Sequence, residues 1–255
     1  MEKQPVLFFV NDLENLIDQA RDELSRFVGC RIEDLVFVQN ATTGINTVLR
    51  SLKFKSGDEL LVCDHEYNAC RNALEMVAGL TGSKVVVVEI PFPLSSDDEI
   101  ISRILDKVNS RTRLVMLDHI SSQTGLRFPI DILVKIFNER GIETLIDGAH
   151  APGMIPLNIS ELNPTYYTAN CHKWMCSPKG SGFLYVDKSR QADIRPLSIS
   201  HGANSTRTNR SRYQIEFGWT GTWDPTAYLG VPKAIVTSSH SADEKRDEGT
   251  SAYNR

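Results

Sequence analysis

Short apolar runs rich in β-branched residues alternate along the chain with longer stretches whose apolar residues recur at helical spacing. Runs of this length and composition predict β-strands. The seven predicted strands are Asp34–Gln39, Glu59–Cys63, Lys84–Ile90, Arg113–Asp118, Ile142–Asp147, Tyr166–Asn170 and Gly182–Val186. Because helical patterns separate most of them, the sequence predicts an α/β fold, three layers (α/β/α) around a mostly parallel seven-stranded sheet.

Polar residues follow five of the predicted strands at the points where these strands end. The five polar segments are Asn40–Gly44, Asp64–Asn68, Asp118–Gly125, Asp147–His150 and Cys171–Trp174. They contain four of the six histidines. In an open parallel sheet, ligands bind outside the carboxyl ends of the strands. We therefore expect a functional site at this edge of the sheet.

The charge balance argues against nucleic acid and anionic membranes as partners. The chain contains 28 lysines and arginines and 32 aspartates and glutamates, which gives a formal net charge of −4. A broad electrostatic surface for polyanions would require the opposite sign. In addition, no apolar run approaches the roughly 18 residues that a spanning helix needs, and the apolar run Val6–Val10 is too short for a secretory signal.

The five cysteines are odd in number and show no C-x-x-C spacing. This pattern fits neither a disulfide framework nor a zinc ribbon, and it indicates a reducing, cytoplasmic compartment. The composition changes near the end of the chain, where residues 237–255 contain almost no large apolar side chain. We therefore predict one domain over residues 1–236 and a polar, disordered tail over residues 237–255.

The segment Asn40–Gly44 lies between a predicted strand and a predicted helix. A helix N-terminus offers unpaired backbone N–H groups and a favourable dipole, and Thr42 and Thr43 add two hydroxyl groups, so the turn can bind a phosphate. An ordinary N-cap explains the same residues, because Asn and Thr are preferred there. Taken alone, the turn favours the N-cap interpretation.

Lys173 and Asp147 are the two strand-end residues with the most specific chemical potential. A lysine beside aromatic groups in a low-dielectric setting can act as a Schiff-base amine, although a surface lysine is the simpler interpretation. Asp147 can hold a proton on a ring nitrogen or merely cap a helix. Together with the Thr42–Thr43 turn, they supply the anion site, covalent anchor and pyridinium partner that pyridoxal 5'-phosphate (PLP) requires.

A metal-dependent hydrolase is the rival interpretation of the same edge. Its ligands would come from the strand-end histidines and aspartates, with two cysteines as further options: His65, His119, His150, His172, Asp64, Asp118, Asp147, Cys171 and Cys176. Such residues can build a one- or two-metal centre. This interpretation leaves Lys173 and the threonine turn unexplained, so we expect no metal site.

The order of these motifs resembles the class V aminotransferase family of PLP enzymes, fold type I. The resemblance extends from about Asn11 to Val236 and is strongest to the branch that contains isopenicillin N epimerase, with cysteine desulfurases and selenocysteine lyases more distant. The motifs that carry it are NATTGIN (40–46), DHEYNA (64–69), DHISSQTG (118–125), LIDGAHAPG (145–153), YYTANCHKWMCSPKGSGFLYV (166–186) and GWTGTWDPTAYLGVPKAI (218–235).

The resemblance implies a role for each matching position. Lys173 would form the Schiff base with PLP, Asp147 would pair with the pyridine nitrogen, and His65 would stack on the pyridine face, with Tyr67 as a possible substitute. Lys173, Asp147 and His65 are the predicted catalytic residues. The implied cofactor contacts are Ala41, Thr42, Thr43, His65, Ser122, Asp147, His150, His172, Lys173, Gly221 and Thr222, of which Gly221 and Thr222 would reach the phosphate of a neighbouring subunit.

The resemblance further implies a homodimer with shared active sites that acts on an amino acid or a derivative of one. Transamination, epimerisation and C–S lyase chemistry all stay open. Family members continue into a small C-terminal domain that supplies an arginine for the substrate carboxylate, and we expect this chain to lack it. The alternative function is therefore a catalytically impaired homologue that keeps the fold and acts as a binding module.

Overall fold

A computed structural model of the chain describes residues 3–237. It contains one seven-stranded sheet in the order β1-β7-β6-β5-β4-β2-β3. The strands are β1 (Leu35–Val38), β2 (Glu59–Cys63), β3 (Lys84–Val88), β4 (Thr112–Asp118), β5 (Glu143–Asp147), β6 (Tyr166–Asn170) and β7 (Gly182–Val186). All seven predicted strands are present, and their bounds differ from the prediction by at most two residues at either end.

Helices cover both faces of the sheet. The bounds are α1 (Pro5–Leu7), α2 (Leu13–Val28), α3 (Ala41–Ser51), α4 (Asn68–Thr81), α5 (Asp97–Lys107), α6 (Ile130–Glu139), α7 (Ile159–Leu162), α8 (Arg212–Gly218) and α9 (Thr226–Leu229). A π-helical turn at Phe8–Asp12 joins α1 to α2, and residues 231–237 are also helical.

Two separate apolar cores show that the fold has three layers. One core packs α2, α5 and α6 against one face of the sheet, with Leu24, Ile104 and Phe137 completely buried. The other packs α3 and α4 against the opposite face, with Leu49 and Leu74 completely buried. The predicted three-layer α/β/α architecture is therefore confirmed.

Strand β7 is antiparallel to both of its neighbours, β1 and β6, whereas the other neighbouring pairs run parallel. The reason lies in the connection. A parallel crossover needs a dozen or more residues, usually with a helix, but residues 171–181 form an irregular link without one. The chain therefore returns directly beside β6, and the link stays at the carboxyl edge of β6.

The sheet register brings the two strand-end aspartates together. Asp118 on β4 pairs with Asp147 on β5, and Asp147 pairs with Thr168 on β6. Paired positions on neighbouring strands direct their side chains to the same face. The predicted polar edge is thus a real feature of the fold.

Residues 238–255, most of the segment predicted to be a disordered tail, lie outside the described residues, and so that prediction remains open. All five cysteines are unpaired. Among residues 3–237, no helix combines the length and apolar character that a membrane span demands.

Candidate active site

The N-terminus of α3 is capped by side chains from two directions. The Asn40 side-chain oxygen accepts hydrogen bonds from the Thr43 N–H (2.8 Å) and the Thr43 hydroxyl (3.1 Å). The Ala41 N–H donates to the Asn170 side-chain oxygen at the end of β6 (2.9 Å). Asn40 is therefore an N-cap residue of α3. Of the three positions predicted to bind phosphate, only Thr42 keeps a backbone N–H without a partner within residues 3–237.

A close approach between α3 and β6 fixes where this helix begins. A Cβ atom on Gly44 would lie 2.0 Å from the Thr168 hydroxyl oxygen, so only glycine permits this packing. Asn170, which holds the first N–H of α3, precedes Lys173 by three residues. The helix start and the lysine turn therefore belong to one connected structure.

Asp147 is buried at the end of β5 and holds two fixed hydrogen bonds. Its carboxylate accepts the Ala149 N–H (2.9 Å) and the Cys70 thiol (3.2 Å). Burial raises the pKa of Asp147, and these hydrogen bonds and the nearby Lys173 partly oppose the increase. The side chain is thus held rigidly below the edge where the lysine lies.

Two further buried carboxyl groups, those of Glu66 and Asp118, accompany Asp147. Burial is the main cause of the high pKa of both, and like charge adds to it: Asp147 acts on Asp118, while Asp118 and Asp147 act on Glu66. Both Glu66 carboxyl oxygens and one of Asp118 find no hydrogen-bond partner within residues 3–237. The neutral, protonated form is therefore favoured for both groups.

The sequence analysis missed Glu66 and Cys70 as parts of the site. Glu66 lay inside the polar run after β2, where His65 drew attention, and Cys70 was counted only among the cysteines. Cys70 lies in the first turn of α4, whereas Glu66 precedes that helix by two residues, so helical spacing did not predict that their side chains meet at Asp147.

Lys173 lies in the turn after β6, where its amine contacts His150. The Lys173 Nζ is 2.9 Å from His150 Nε2, and it lies 6.0 Å from the centre of the Tyr67 ring. Burial lowers the pKa of Lys173, while the carboxyl group of Asp147 opposes this effect. On the other side of the imidazole, the Trp174 indole N–H donates to His150 Nδ1 at 3.2 Å.

Gly153 allows this contact. It adopts a left-handed φ of +84°, and a Cβ atom there would lie 2.6 Å from the Trp174 carbonyl carbon. The loop that follows β5 can therefore lie directly on the lysine turn, which brings His150 beside Lys173. The predicted convergence of Lys173, Asp147 and His150 is thus observed.

The other histidines are each held by a separate partner. His65 Nε2 is 2.9 Å from the Ile90 carbonyl oxygen and Nδ1 is 3.3 Å from the Thr124 hydroxyl. His172 Nδ1 is 2.8 Å from the Ser181 carbonyl oxygen. His119 Nδ1 is 2.9 Å from the Tyr167 hydroxyl, and burial lowers the pKa of His119 to about 4.

These contacts do not assemble the metal centre that formed the rival interpretation. Within residues 3–237, the one group with metal-ligand geometry is Glu66, Cys70 and Asp147, with all its ligand atoms within 4.8 Å of one another. It contains no histidine and only one of the proposed ligands. The histidines instead orient side chains around the lysine and the sheet edge.

Three predicted contacts lie on the surface. Ser122 is exposed in the turn after β4, while its neighbour Ser121 is buried. Gly221 has a φ of +127° with open space around its Cβ position, and Thr222 is exposed. Within the described part of the chain, none of these three residues joins the group around Lys173.

Comparison with known proteins identifies the family. The model of the family described as "Aminotransferase class-V" matches residues 7–235. Isopenicillin N epimerase of Amycolatopsis lactamdurans is 34% identical over 247 residues, which cover 92% of this chain and 62% of that protein. A probable chloroplastic L-cysteine desulfhydrase of Arabidopsis thaliana is 31% identical, with 91% of this chain and 52% of that protein covered. The chain thus spans about half to three fifths of the length of these relatives.

Solved structures show the same fold. The cystine C–S lyase C-DES, in complex with its product cysteine persulfide, superimposes with a TM-score of 0.79 at 25% identity, covering 89% of this chain and 62% of that one. A C-DES variant with glycine covalently linked to its PLP cofactor gives the same TM-score over 89% of this chain and 61% of that one. The resemblance seen in the sequence is confirmed, and the chain belongs to the class V aminotransferase family.

Proposed function

We propose that this chain is a PLP-dependent enzyme domain that holds its cofactor through Lys173 and acts on an amino acid or a derivative of one. The observation that carries the proposal is the half-buried Lys173 amine at the carboxyl edge of the sheet, next to the buried Asp147. When bound, PLP supplies an electron sink that stabilises negative charge at the substrate Cα.

The residues present fit this cofactor. Lys173 offers an amine for the aldehyde, and Asp147 offers a fixed carboxylate for a ring nitrogen. At the N-terminus of α3, Thr42 offers an anion a backbone N–H that has no partner within residues 3–237. The buried, unpaired oxygens of Glu66 and Asp118 add acceptors below the same edge.

These residues would divide the work at the bound cofactor. Asp147 would hold a proton on the ring nitrogen, and its hydrogen bonds from Ala149 and Cys70 keep the carboxylate aligned. Lys173 would anchor the cofactor through its amine and would move the proton at the substrate Cα. His172 donates Nδ1–H to the Ser181 carbonyl oxygen, so its Nε2 would be a donor to a phosphate only in the imidazolium form.

The aromatic group over the ring is proposed to be either His65 or Tyr67. His65 is held by Ile90 and Thr124, whereas the centre of the Tyr67 ring lies 6.0 Å from the Lys173 Nζ. The proximity of Tyr67 to Nζ supports the substitute role that the sequence suggested for it.

Reaction at the substrate Cα is the class of chemistry that the relatives support. They include an epimerase and a probable L-cysteine desulfhydrase, and one structural neighbour is a C–S lyase. We propose a homodimer in which Gly221 and Thr222 reach the partner's cofactor phosphate, because both residues are accessible at the surface.

The first experiment tests the covalent anchor. Purified protein incubated with PLP should absorb at roughly 410–430 nm, the band of a protonated Schiff base. Lys173→Ala should abolish this band, and Lys179→Ala, which removes an exposed lysine from the same turn region, should retain it. A colourless protein that carries stoichiometric zinc would overturn the proposal.

A second measurement separates an active enzyme from a binding module. Addition of L-cysteine or other amino acids should shift the absorption band, because the amino substrate displaces the lysine. A band that no amino acid changes would instead support the impaired homologue.

A further inference from the structure

His150 lies between two nitrogen atoms that together determine its tautomer. The Trp174 indole Nε1 is 3.2 Å from Nδ1, and the Lys173 Nζ is 2.9 Å from Nε2. An indole N–H is a donor only. His150 Nδ1 must therefore accept with its lone pair, and the single proton of the neutral ring lies on Nε2.

This tautomer imposes a protonation state on Lys173. With a proton on Nε2, the imidazole donates toward the Nζ atom, and Nζ needs a lone pair to accept it. A lysine ammonium group has three donors and no acceptor, whereas the neutral amine has one lone pair. The observed three-residue arrangement is therefore satisfied only when Lys173 is uncharged.

We propose that Trp174 is a positioning residue that keeps Lys173 in its nucleophilic free-amine form by fixing the tautomer of His150. This inference rests on the proposed function, in which the amine of Lys173 attacks an aldehyde or an imine carbon. Only the uncharged amine can form that bond. The indole thus acts through His150, without contact between Trp174 and the amine being required.

Two opposing effects act on the charge of Lys173: nearby acidic groups favour the ammonium, and burial favours the neutral amine. Asp147 on β5, Asp118 on β4 and Cys70 on α4 face the amine, and in their charged forms they favour the ammonium. The Tyr67 ring lies over it. Burial raises the pKa of Asp118, Cys70 and Asp147, which weakens this set, and burial of the amine itself acts toward the neutral form.

His150 behaves consistently with this arrangement. Burial lowers the pKa of His150, so the imidazolium, which would present an Nδ1 proton to the indole N–H, is disfavoured. Trp174 is 50% exposed. Its side chain can therefore be changed without opening a cavity in either core.

The test measures the pKa of Lys173 directly in the cofactor-free chain of residues 1–255. Labelling by an amine-reactive anhydride across pH 6 to 10, read by peptide mass spectrometry, reports the fraction of free amine. Trp174→Phe keeps an aromatic ring but removes the N–H. We expect Lys173 labelling near neutral pH to slow about tenfold, because a shift of one pKa unit changes the amine fraction tenfold.

Two comparisons make the result specific. Trp219→Phe removes an indole that packs on Phe9 and Trp223, and it should leave Lys173 labelling unchanged. In a His150→Ala background, Trp174→Phe should have no further effect, because the indole acts through the imidazole. Exposed Lys179 provides an internal reference in every sample.

An unchanged labelling profile in Trp174→Phe would overturn the inference, and so would an equal change in the His150→Ala background. Because labelling uses no PLP, the result is independent of cofactor binding. Failure of the proposed function would appear elsewhere, as a missing band at roughly 410–430 nm in the wild-type protein.

Discussion

Three carboxyl groups at the sheet edge are buried, and burial disfavours their charged forms. Glu66 is completely buried next to Asp118 and Asp147, and neither of its carboxyl oxygens has a partner within residues 3–237. Buried ionisable groups with shifted pKa values are concentrated at functional sites. The folded, cofactor-free protein therefore keeps Glu66 protonated where the unfolded chain releases the proton.

This difference predicts a pH-dependent stability. The folded-state pKa of Glu66 is raised well above its ordinary value of 4.5. The stability that protonated Glu66 contributes is therefore fully present below pH 4.5 and is lost as the pH rises toward the folded-state pKa. Compared with Glu66→Gln, the free energy of unfolding of the wild type should fall by up to about 1.4 kcal/mol per pH unit over that window.

Urea unfolding of cofactor-free protein at pH 6, 7 and 8 measures this difference. Glu139→Gln, which changes an exposed glutamate at the end of α6, should follow the wild type at every pH. Parallel curves for the wild type and Glu66→Gln would show that Glu66 is ionised in the folded protein.

At the scale of elements, the position of α3 depends on one missing methyl group. The helix packs so closely on β6 that Gly44 faces Thr168, and the same packing places Ala41 on Asn170. A shift of α3 would move both its core side chains and the Thr42 N–H. Stability and anion binding are therefore coupled in this helix.

Gly44→Ala should destabilise the protein by about 1–3 kcal/mol, because the added methyl group overpacks a rigid contact, and it should also weaken PLP binding. Thr168→Ala in the same chain should restore part of the stability. The matched control is Gly79→Ala on α4, which has open space at Cβ and should be stabilising by about 0.5–1 kcal/mol.

Chemical unfolding and cofactor titration of these variants check both effects. If Gly44→Ala proved as stable as Gly79→Ala, the close packing of α3 on β6 would be incorrect.

At the scale of the whole molecule, the proposed dimer places part of each cofactor site on the neighbouring subunit. Thr222 is exposed and lies apart from the group around Lys173 in its own chain. If it binds the partner's cofactor phosphate, Thr222→Ala should weaken PLP binding several-fold, while the exposed Thr208→Ala should not.

Sedimentation measurements and PLP titrations on the same samples test this arrangement. We expect a species of twice 28.6 kDa. A monomer whose PLP affinity is unaffected by Thr222→Ala would contradict the proposed sharing of sites.

The sequence by itself determined the fold class, all seven strands and the edge that carries the chemistry. These features follow from local patterns: β-branched runs form strands, and polar residues after parallel strands meet at one edge. The family motifs also identified Lys173, Asp147 and His150, which the structure brings together. Local patterns are enough for the fold class, the strands and the edge because each depends on neighbouring residues, whereas the roles of the three site residues came from the resemblance to the family.

Only the tertiary structure decided the partners at that edge. The Cys70 thiol donates a hydrogen bond to Asp147, 77 positions away in the sequence, and Asn170 accepts the Ala41 N–H across 129 positions. His150 lies between Lys173 and Trp174, which are 23 and 24 positions away from it. The antiparallel β7 and the buried Glu66 were equally undetermined. Such contacts join residues far apart in the chain, and their geometry depends on how helices and loops pack on the sheet rather than on any local pattern.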